Sequence, residues 1–437
     1  MSSRTRMSFR PRSRRGRRRR APAAAMAIAV TCTVALSGGS AAAHDRSPNT
    51  PDSTVAAWDR TGVEAAAAAG FSPAEGHMLF AYVAIAVYDA VVAVQGDGDH
   101  FAVDVDAPRG ASAEAAASAA AYRVLMHYLP AQAPTILDPA YQVSLAEIPD
   151  GPAETAGVAV GEQVAAALIE LRRDDGFRVP VPYAPPVPAP AGTWIPTAST
   201  PPIGTFLPGM RPFALRSADQ FRPDGPPDLD SRRWARDFAE VKAIGSATST
   251  VRTPDQTAAA RFWGEPPVPQ ARASFRLFLD QHDLDIGDAA RFMAMMSVTY
   301  ADALIACFDA KYTYAFWRPV TAIPAGDTDG NRRTIADPAW TPLIPTPNHP
   351  EYPSAHGCIT PTAGIVISRF LHTAQIDFTV PSITGGADRH FATRQELTRD
   401  VSDARIWGGV HFRSAVDDGV DIAERTARYV LRHHFDR

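Results

Sequence analysis

Lysine is nearly absent from this 437-residue chain: Lys242 and Lys311 are the only two among 43 basic residues. A chain that writes its positive charge as arginine has kept lysine at two positions, and one of them opens a motif described below. Cysteine is also scarce. The three present, Cys32, Cys307 and Cys358, are too few for a disulfide framework. Cys307 and Cys358 each adjoin a motif and can approach in space, but buried free thiols are the expectation for both. Few runs alternate in the strand period, so the expected fold class is mainly α. Long uninterrupted apolar runs are missing from the body of the chain. The richest, GHMLFAYVAIAVYDAVVAV, carries Asp89 inside it and is too short and interrupted for a membrane span.

The N-terminus lacks acid altogether. Residues 1–20 hold ten arginines and no carboxylate, followed by AAAMAIAVTCTVAL and then Ala41-Ala42-Ala43 before His44. Basic, apolar, then small describes a signal peptide over 1–43, and hence a secreted or extracytoplasmic protein. Ser13-Arg14-Arg15 hints at twin-arginine export without the full pattern. The alternative, an uncleaved anchor, is disfavoured by the short apolar run. Val30-Thr31 before Cys32 is a poor context for lipid attachment. Subtracting the ten arginines from a formal charge of −4 leaves about −14 on the rest. Such an acidic body argues against nucleic acid and anionic membranes as partners.

Residues 44–58 read as a linker and 59–437 as one α-helical domain. Ala-rich segments near 111–128 and 153–173 read as helices, as do 230–245 and 254–264. A long helix is expected over 286–316, with Phe292, Met293, Met296 and Tyr300 on one face, stopping at Arg318-Pro319. Residues 178–230 are crowded with proline and carry little periodicity. Trp194, Phe206, Phe213 and Phe221 supply anchors that free linkers lack, so this segment is expected to wrap the domain rather than hang from it.

Against an acidic background, three short blocks concentrate positive charge. The first is Lys311-Tyr-Thr-Tyr-Ala-Phe-Trp-Arg318-Pro319, residues 311–319. Lys311 and Arg318 are seven positions apart, about two helical turns, so one face can present both. A solvated face with a salt bridge is the ordinary explanation; the intervening Tyr312, Tyr314, Phe316 and Trp317 suit a walled pocket better. The second block is Pro353-Ser354-Ala355-His356-Gly357, residues 353–357. Ser354 stands where a helix N-cap would stand, and amides at such an end bind anions. A plain capped helix is the alternative. His356, one turn in, is placed to act as acid or base. The third block is Arg405-Ile-Trp-Gly-Gly-Val-His411, residues 405–411. The double glycine breaks a helix, leaving His411 in a turn before a helix near Arg413. Three fixed cations, a hydroxyl and two imidazoles suit a tetrahedral or trigonal-bipyramidal oxyanion, which arginine binds through a planar fork and lysine as a point charge.

The ordered set, K-x6-RP, PS-x-H, R-x5-H, resembles the superfamily that unites vanadium-dependent haloperoxidases with type 2 phosphatidic acid phosphatases and bacterial acid phosphatases. KYTYAFWRP looks like the soluble haloperoxidase form. RPFALRSADQFRP, VKAIGSATSTVRTPDQT and PTPNHPEYPSAHG look like secreted bacterial members of that branch, so the resemblance covers roughly residues 60–435. It implies a helical-bundle fold and vanadate as cofactor, with hydrogen peroxide, halide and a small organic acceptor as reactants. Lys311, Arg318 and Arg405 would neutralise the oxyanion, and Ser354 and the Ala355 amide would donate to it. His356 would be the acid/base, Lys311 would polarise bound peroxide, and His411 would ligate vanadium. The alternative is a vanadate-inhibited acid phosphatase working through a phosphohistidine at His411. The usual glycine between Ser and His is Ala355. A carboxylate common four residues after the last histidine is Ala415, for which either Asp417 or Asp418 substitutes or nothing does. His349 matches bromide-type members and Phe308 stands where chloride-oxidising members tend to have tryptophan. The resemblance therefore implies bromide and iodide oxidation in preference to chloride.

Overall fold

The computed structural model describes residues 53–435. The expected signal peptide, Cys32 within it, and residues 44–52 of the expected linker lie outside the described residues. In chain order the helices are α1 (Thr54–Ala68), α2 (Pro73–Gln95), α3 (Ala113–Tyr128), α4 (Asp138–Ala146), α5 (Pro152–Arg172), α6 (Arg232–Ile244), α7 (Pro254–Phe262), α8 (Pro267–His282), α9 (Ile286–Tyr314), α10 (Pro319–Ala322), α11 (Ala355–Phe370), α12 (Arg394–Trp407) and α13 (Arg413–His434). A two-stranded antiparallel hairpin, β1 (Gln375–Val380) and β2 (Arg389–Thr393), sits between α11 and α12. The protein is thus mainly α, as expected.

Local chemistry sets the helix starts. Ser53, Ser72, Ser112, Ser231, Thr253, Asp285, Ser354 and Thr393 each accept a backbone N–H of the first turn through the side chain. Three of these are reciprocal boxes, Ser72–Glu75, Thr253–Gln256 and Thr393–Glu396, each satisfying two donors that have no partner within the helix. The cap at Ser53 corrects the linker boundary. α1 begins at Thr54, inside the 44–58 stretch, because Trp58 is buried and its indole donates to Ser144 Oγ at 3.3 Å. That single aromatic anchor turns the end of the linker into core.

α9 is the central element. It packs against α2 on one side and against α11 and α13 on the other, while α2, α3 and α5 close the N-terminal bundle. α2 and α9 are long and apolar enough to cross a bilayer, but 89% and 100% of their most apolar windows are buried inside the fold. They are core helices. Two of their buried aspartates pin loops: Asp89 accepts the amides of Phe101, Ala102 and Val103, and Asp302 those of Phe213, Ala214 and Leu215. Asp302 thereby anchors the proline-rich segment, which wraps along α9 with Trp194 fully buried and Phe206 nearly so. The Trp194 amide donates to the Ala315 carbonyl (2.6 Å) and the Tyr312 hydroxyl to the Ile203 carbonyl (2.6 Å).

Three local expectations need correction. α9 stops at Tyr314, not near Arg318. Ala315 takes the left-handed conformation (φ 42°) and Trp317 N–H is drawn out to the Gly192 carbonyl, so Arg318 is not on the helix face of Lys311. The hairpin escaped notice because its strands are short and β1 is irregular between Gln375 and Phe378, where Asp377 has φ 43°. Cys307 and Cys358 are a disulfide rather than free thiols. α9 and α11 cross with those Cα atoms 6.1 Å apart, within bridging range.

That bond closes a separation of 51 residues, for which chain-entropy arguments give about 4 kcal/mol. Replacing both cysteines by alanine is expected to lower the unfolding free energy by about 2–4 kcal/mol, read from guanidinium midpoints. An unchanged midpoint under oxidising conditions would mean that the thiols do not pair.

Candidate oxyanion site

Four chain segments deliver the site. Lys311 comes from the last turn of α9, Arg318 from the N-cap of α10, and Ser354 from the N-cap of α11. Arg405 lies in the last turn of α12 and His411 in the corner before α13. The corner is tight. Gly409 has φ 74° and its Cα abuts Gly245, where a Cβ would strike the Gly245 carbonyl. Only glycine permits both the conformation and the approach. Val410 then turns its carbonyl to Arg318 and brings His411 in behind it. The disulfide ties α9, one turn before Lys311, to α11, one turn after Ser354.

Arg318 is the hub. Its Nε donates to the His349 carbonyl (2.9 Å) and Nη1 to the Val410 carbonyl (2.8 Å); Nη1 also lies 3.2 Å from His411 Nε2. Nη2 lies 3.0 Å from His349 Nδ1. Arginine only donates, so His411 Nε2 carries a lone pair. Its proton is therefore on Nδ1, which lies 3.0 Å from Glu351 Oε1, an oxygen that also accepts the Phe412 amide at 2.8 Å. Glu351 thus fixes the tautomer that turns an unprotonated nitrogen toward the arginines. It is the residue that the sequence reading left without a role, although it lies within PEYPSAHG. Neither Asp417 nor Asp418 takes that place: Asp418 accepts the Tyr352 hydroxyl (2.7 Å), and the carboxylate on His411 is Glu351.

Lys311 departs from expectation in its contacts. Its ammonium donates to the carbonyls of Pro350 (2.9 Å), Glu351 (3.1 Å) and Pro353. An ammonium has three N–H groups, so in this arrangement none is left for a peroxide oxygen. Lys311 contributes charge and fixes the 350–353 segment. The aromatic wall is likewise divided. Phe316 and Trp317 turn away into a second core with Trp234, Phe238 and Phe412, and the Tyr312 and Tyr314 hydroxyls donate to the carbonyls of Ile203 and Pro223; the aromatic on the cavity side is Phe308, outside that block, 5.2 Å from the His349 ring. Ser354 Oγ accepts the Gly357 amide at 3.4 Å.

The electrostatics of the cluster are unbalanced. Lys311, Arg318 and Arg405 are 0%, 0% and 2% exposed, and Glu351 is the carboxylate among them. Burial is the main cause of every shift here. It draws Arg318 down to about 10 and Arg405 to about 9, and Lys311 well below its usual value. Burial also holds His349, His356 and His411 well below the ordinary imidazole range, with neighbouring cations adding to the effect, and lifts Glu351 to about 8. Arg405 donates to the Trp263 carbonyl, yet its Nε is buried without a partner. A cavity of about 190 Å³ opens on this cluster, with His349, Ala355, His356, Arg405 and His411 in its wall together with Phe308. Lys311, Arg318 and Ser354 stand behind that wall. Trp263 and Glu265 from the α7–α8 corner and His77 from α2 complete it; none of these carried a motif. Glu265 is held by the hairpin turn, accepting from Ser382 Oγ (2.7 Å), the Ile383 amide (2.7 Å) and Thr384 Oγ1 (2.8 Å).

Residues 291–437 match the family described as the VCPO second helical-bundle domain. A search of solved structures finds the bacterial vanadium-dependent iodoperoxidase described as the first of its kind, at 24% identity and a TM-score of 0.74, covering 87% of this chain and 95% of that one. The chain has the vanadium haloperoxidase fold. The holo-type bacterial vanadium-dependent chloroperoxidase superposes with a TM-score of 0.66 at 20% identity, over 83% of this chain and 95% of that one. Among curated proteins, vanadium chloroperoxidase of Curvularia inaequalis is 24% identical over 237 residues, 39% of this chain and 38% of that protein. The matched region covers α9 from Arg291 onward and every block named above. It leaves His77 and Trp263 outside.

The buried charge predicts how an anion binds. An anion restores the cations' ordinary proton affinity, so between the lowered and restored values binding takes up protons. Affinity therefore falls as pH rises through the lowered Lys311 range and through about 8, where Glu351 ionises beside the cluster. Sulfate keeps its own charge there, so calorimetry with sulfate in two buffers of different ionisation enthalpy is expected to show proton uptake and weakening with pH. A flat profile would mean that the three cations do not hold the ion.

Proposed function

We propose that the protein is a vanadate-dependent haloperoxidase that oxidises bromide and iodide with hydrogen peroxide and passes the hypohalite to a small organic acceptor. The vanadate site rests on three buried cations with a single acid beside an unprotonated His411 Nε2, and what favours halide oxidation over phosphoryl transfer is the fold shared with an iodoperoxidase and the mainly apolar cavity in front of the cluster. Burying like charges together is costly, and an anion among them offsets that cost. The residues fit vanadate. Arg405 Nε is a buried donor without a partner, the Ala355 amide opens a helix, and His411 Nε2 is a neutral nitrogen suited to a metal. When bound, vanadate would supply a redox-inert V(V) centre that activates peroxide.

The chain's own part is positioning and proton transfer. Arg405 holds negative oxygen from the cavity wall, and Arg318 and Lys311 add their field from behind it. His356, kept neutral by burial and by Arg405, takes the peroxide proton and returns it to the departing oxygen. Overall, the halide gives an electron pair to one peroxide oxygen, the O–O bond breaks, and hypohalous acid and water form from halide, peroxide and one proton. Export is part of the proposal, supported by the basic-apolar-small N-terminus and by a disulfide that needs an oxidising compartment to persist.

His411 supports a second reading equally, since the same nitrogen can accept a phosphoryl group. Halogenation and aryl-phosphate hydrolysis measured on one sample, with and without vanadate, separate the two. Vanadate-dependent halogenation is expected; phosphate release that vanadate inhibits would make it a phosphatase instead. His411→Ala is expected to abolish halogenation while circular dichroism stays helical, because His411 sits in a corner between helices. Near-normal turnover in that variant would remove His411 from the reaction.

Halide choice follows from the wall. His349 is a neutral imidazole beside Phe308, and keeps that side of the cavity more polar than phenylalanine would. Chloride is the hardest of the three halides to oxidise, so it suffers first. His349→Phe is expected to raise the chloride-to-bromide turnover ratio; efficient chloride turnover by the unmodified protein would take selectivity away from this position.

A further inference from the structure

His77 is the residue in the cavity wall whose chemistry is unexplained. It stands in the second turn of α2, 4% exposed, with its ring 5.6 Å from Tyr300. Its Nε2 is buried without a hydrogen-bond partner. Leaving such a group unpaired costs about 1–3 kcal/mol, and phenylalanine would fill much the same space against Tyr300 without that penalty. Among the described residues, His77 Nε2 and Arg405 Nε are the partnerless buried side-chain atoms in residues that line the cavity. Arg405 belongs to the oxyanion cluster. His77 does not.

What lies behind His77 selects the sign of its guest. Arg272 and Arg276 share one carboxylate, Asp59, at 2.6 Å from Arg272 Nε and 2.6 Å from Arg276 Nη1. Arg272 also donates to Ser297 Oγ at 2.8 Å. Two guanidiniums on one carboxylate leave a net positive charge behind the ring. Burial and Arg272 together hold the imidazole neutral, down to about 3, so it carries one N–H and one lone pair and does not gain a second proton in the working range. In front, Phe308, Leu304, Ile203 and Ile344 make the cavity largely apolar, and the Glu265 carboxylate in its wall is engaged by three donors of the hairpin turn, Ser382, Ile383 and Thr384. A small, weakly hydrated anion fits a place with one neutral donor, a positive field and apolar walls.

We propose that His77 positions the halide, donating from Nε2 to a bromide or iodide ion held across the cavity from His356. This rests on the haloperoxidase reading of the same site and adds a positioning residue from the N-terminal bundle, outside the region that carries the motifs.

The test uses the full-length protein with potassium bromide as the probe. First, bromide is titrated into unmodified protein with labelled histidine, and the ring nitrogen signals are followed by NMR without vanadate. The His77 Nε2 resonance is expected to shift in a saturable way; no shift up to saturating bromide overturns the proposal whatever the variants do. Second, His77→Phe and His77→Gln are compared after loading with vanadate. Loss of one hydrogen bond predicts a rise of about tenfold in the bromide KM for His77→Phe, with kcat, the peroxide KM and vanadate affinity within about twofold. Gln keeps a donor and is expected to restore most of the bromide affinity. An unchanged bromide KM in His77→Phe also overturns the proposal, as does a loss confined to kcat. Failure of vanadate to bind, or binding without halogenation, sinks the haloperoxidase reading instead, while the NMR titration still decides the halide site.

Discussion

Three basic side chains buried around one acid is the constraint from which the rest of this structure follows. Moving a single ion out of water carries an effective penalty of several kcal/mol, and here like charges are also brought together. The protein answers with carbonyl oxygen rather than with acid. Lys311 is caged by Pro350, Glu351 and Pro353, Arg318 by His349 and Val410, and Arg405 by Trp263. Carbonyl dipoles stabilise a cation without cancelling its charge. An acid at each position would have made a quiet core; carbonyls leave a site that attracts an anion.

Such an arrangement pushes itself apart unless the backbone is held. The disulfide clamps α9 to α11 beside the cluster, Gly409 lets the α12–α13 corner seat against Gly245, and the proline-rich segment is bonded along α9 through Asp302. Each device fixes a different one of the segments that deliver the charges. The second core, built from Trp234, Phe238, Phe316, Trp317 and Phe412, backs the α10 and α13 sides. The aromatics between Lys311 and Arg318 thus serve the walls' foundation more than the wall itself.

Residue types at the site were legible in the chain because local rules set them. A serine before an apolar run is a cap, a double glycine ends a helix, and a cation block in an acidic sequence stands out. Helix spans were legible for the same reason, and α11 and α13 begin where the caps and the glycines put them. What was not legible depended on tertiary context. Whether Arg318 continued the helix turned on one left-handed alanine and a bond to Gly192. Whether Cys307 met Cys358 turned on a helix crossing. Glu351 was in plain view, but its partner is 60 residues away, and no spacing rule connects them. Trp58 rescued the start of α1 from the linker by packing on a helix that the sequence does not show beside it.

Motif and selectivity are therefore drawn from different parts of the chain. The oxyanion cluster is compact in sequence because its members are capped and cornered by neighbouring residues. The cavity in front of it is not: Ile203 comes from the proline-rich wrap, Trp263 and Glu265 from the α7–α8 corner, and His77 from α2. The same cluster can hold a tetrahedral phosphate or a trigonal-bipyramidal vanadate, so its geometry alone does not choose between phosphoryl transfer and halide oxidation. Under the haloperoxidase reading the choice falls to the facing wall, where apolar side chains limit water and His77 is the uncharged imidazole proposed to donate. A phosphate ester brings two negative charges and a hydration shell that such a wall cannot replace, whereas a large monovalent halide gives up little water to enter it.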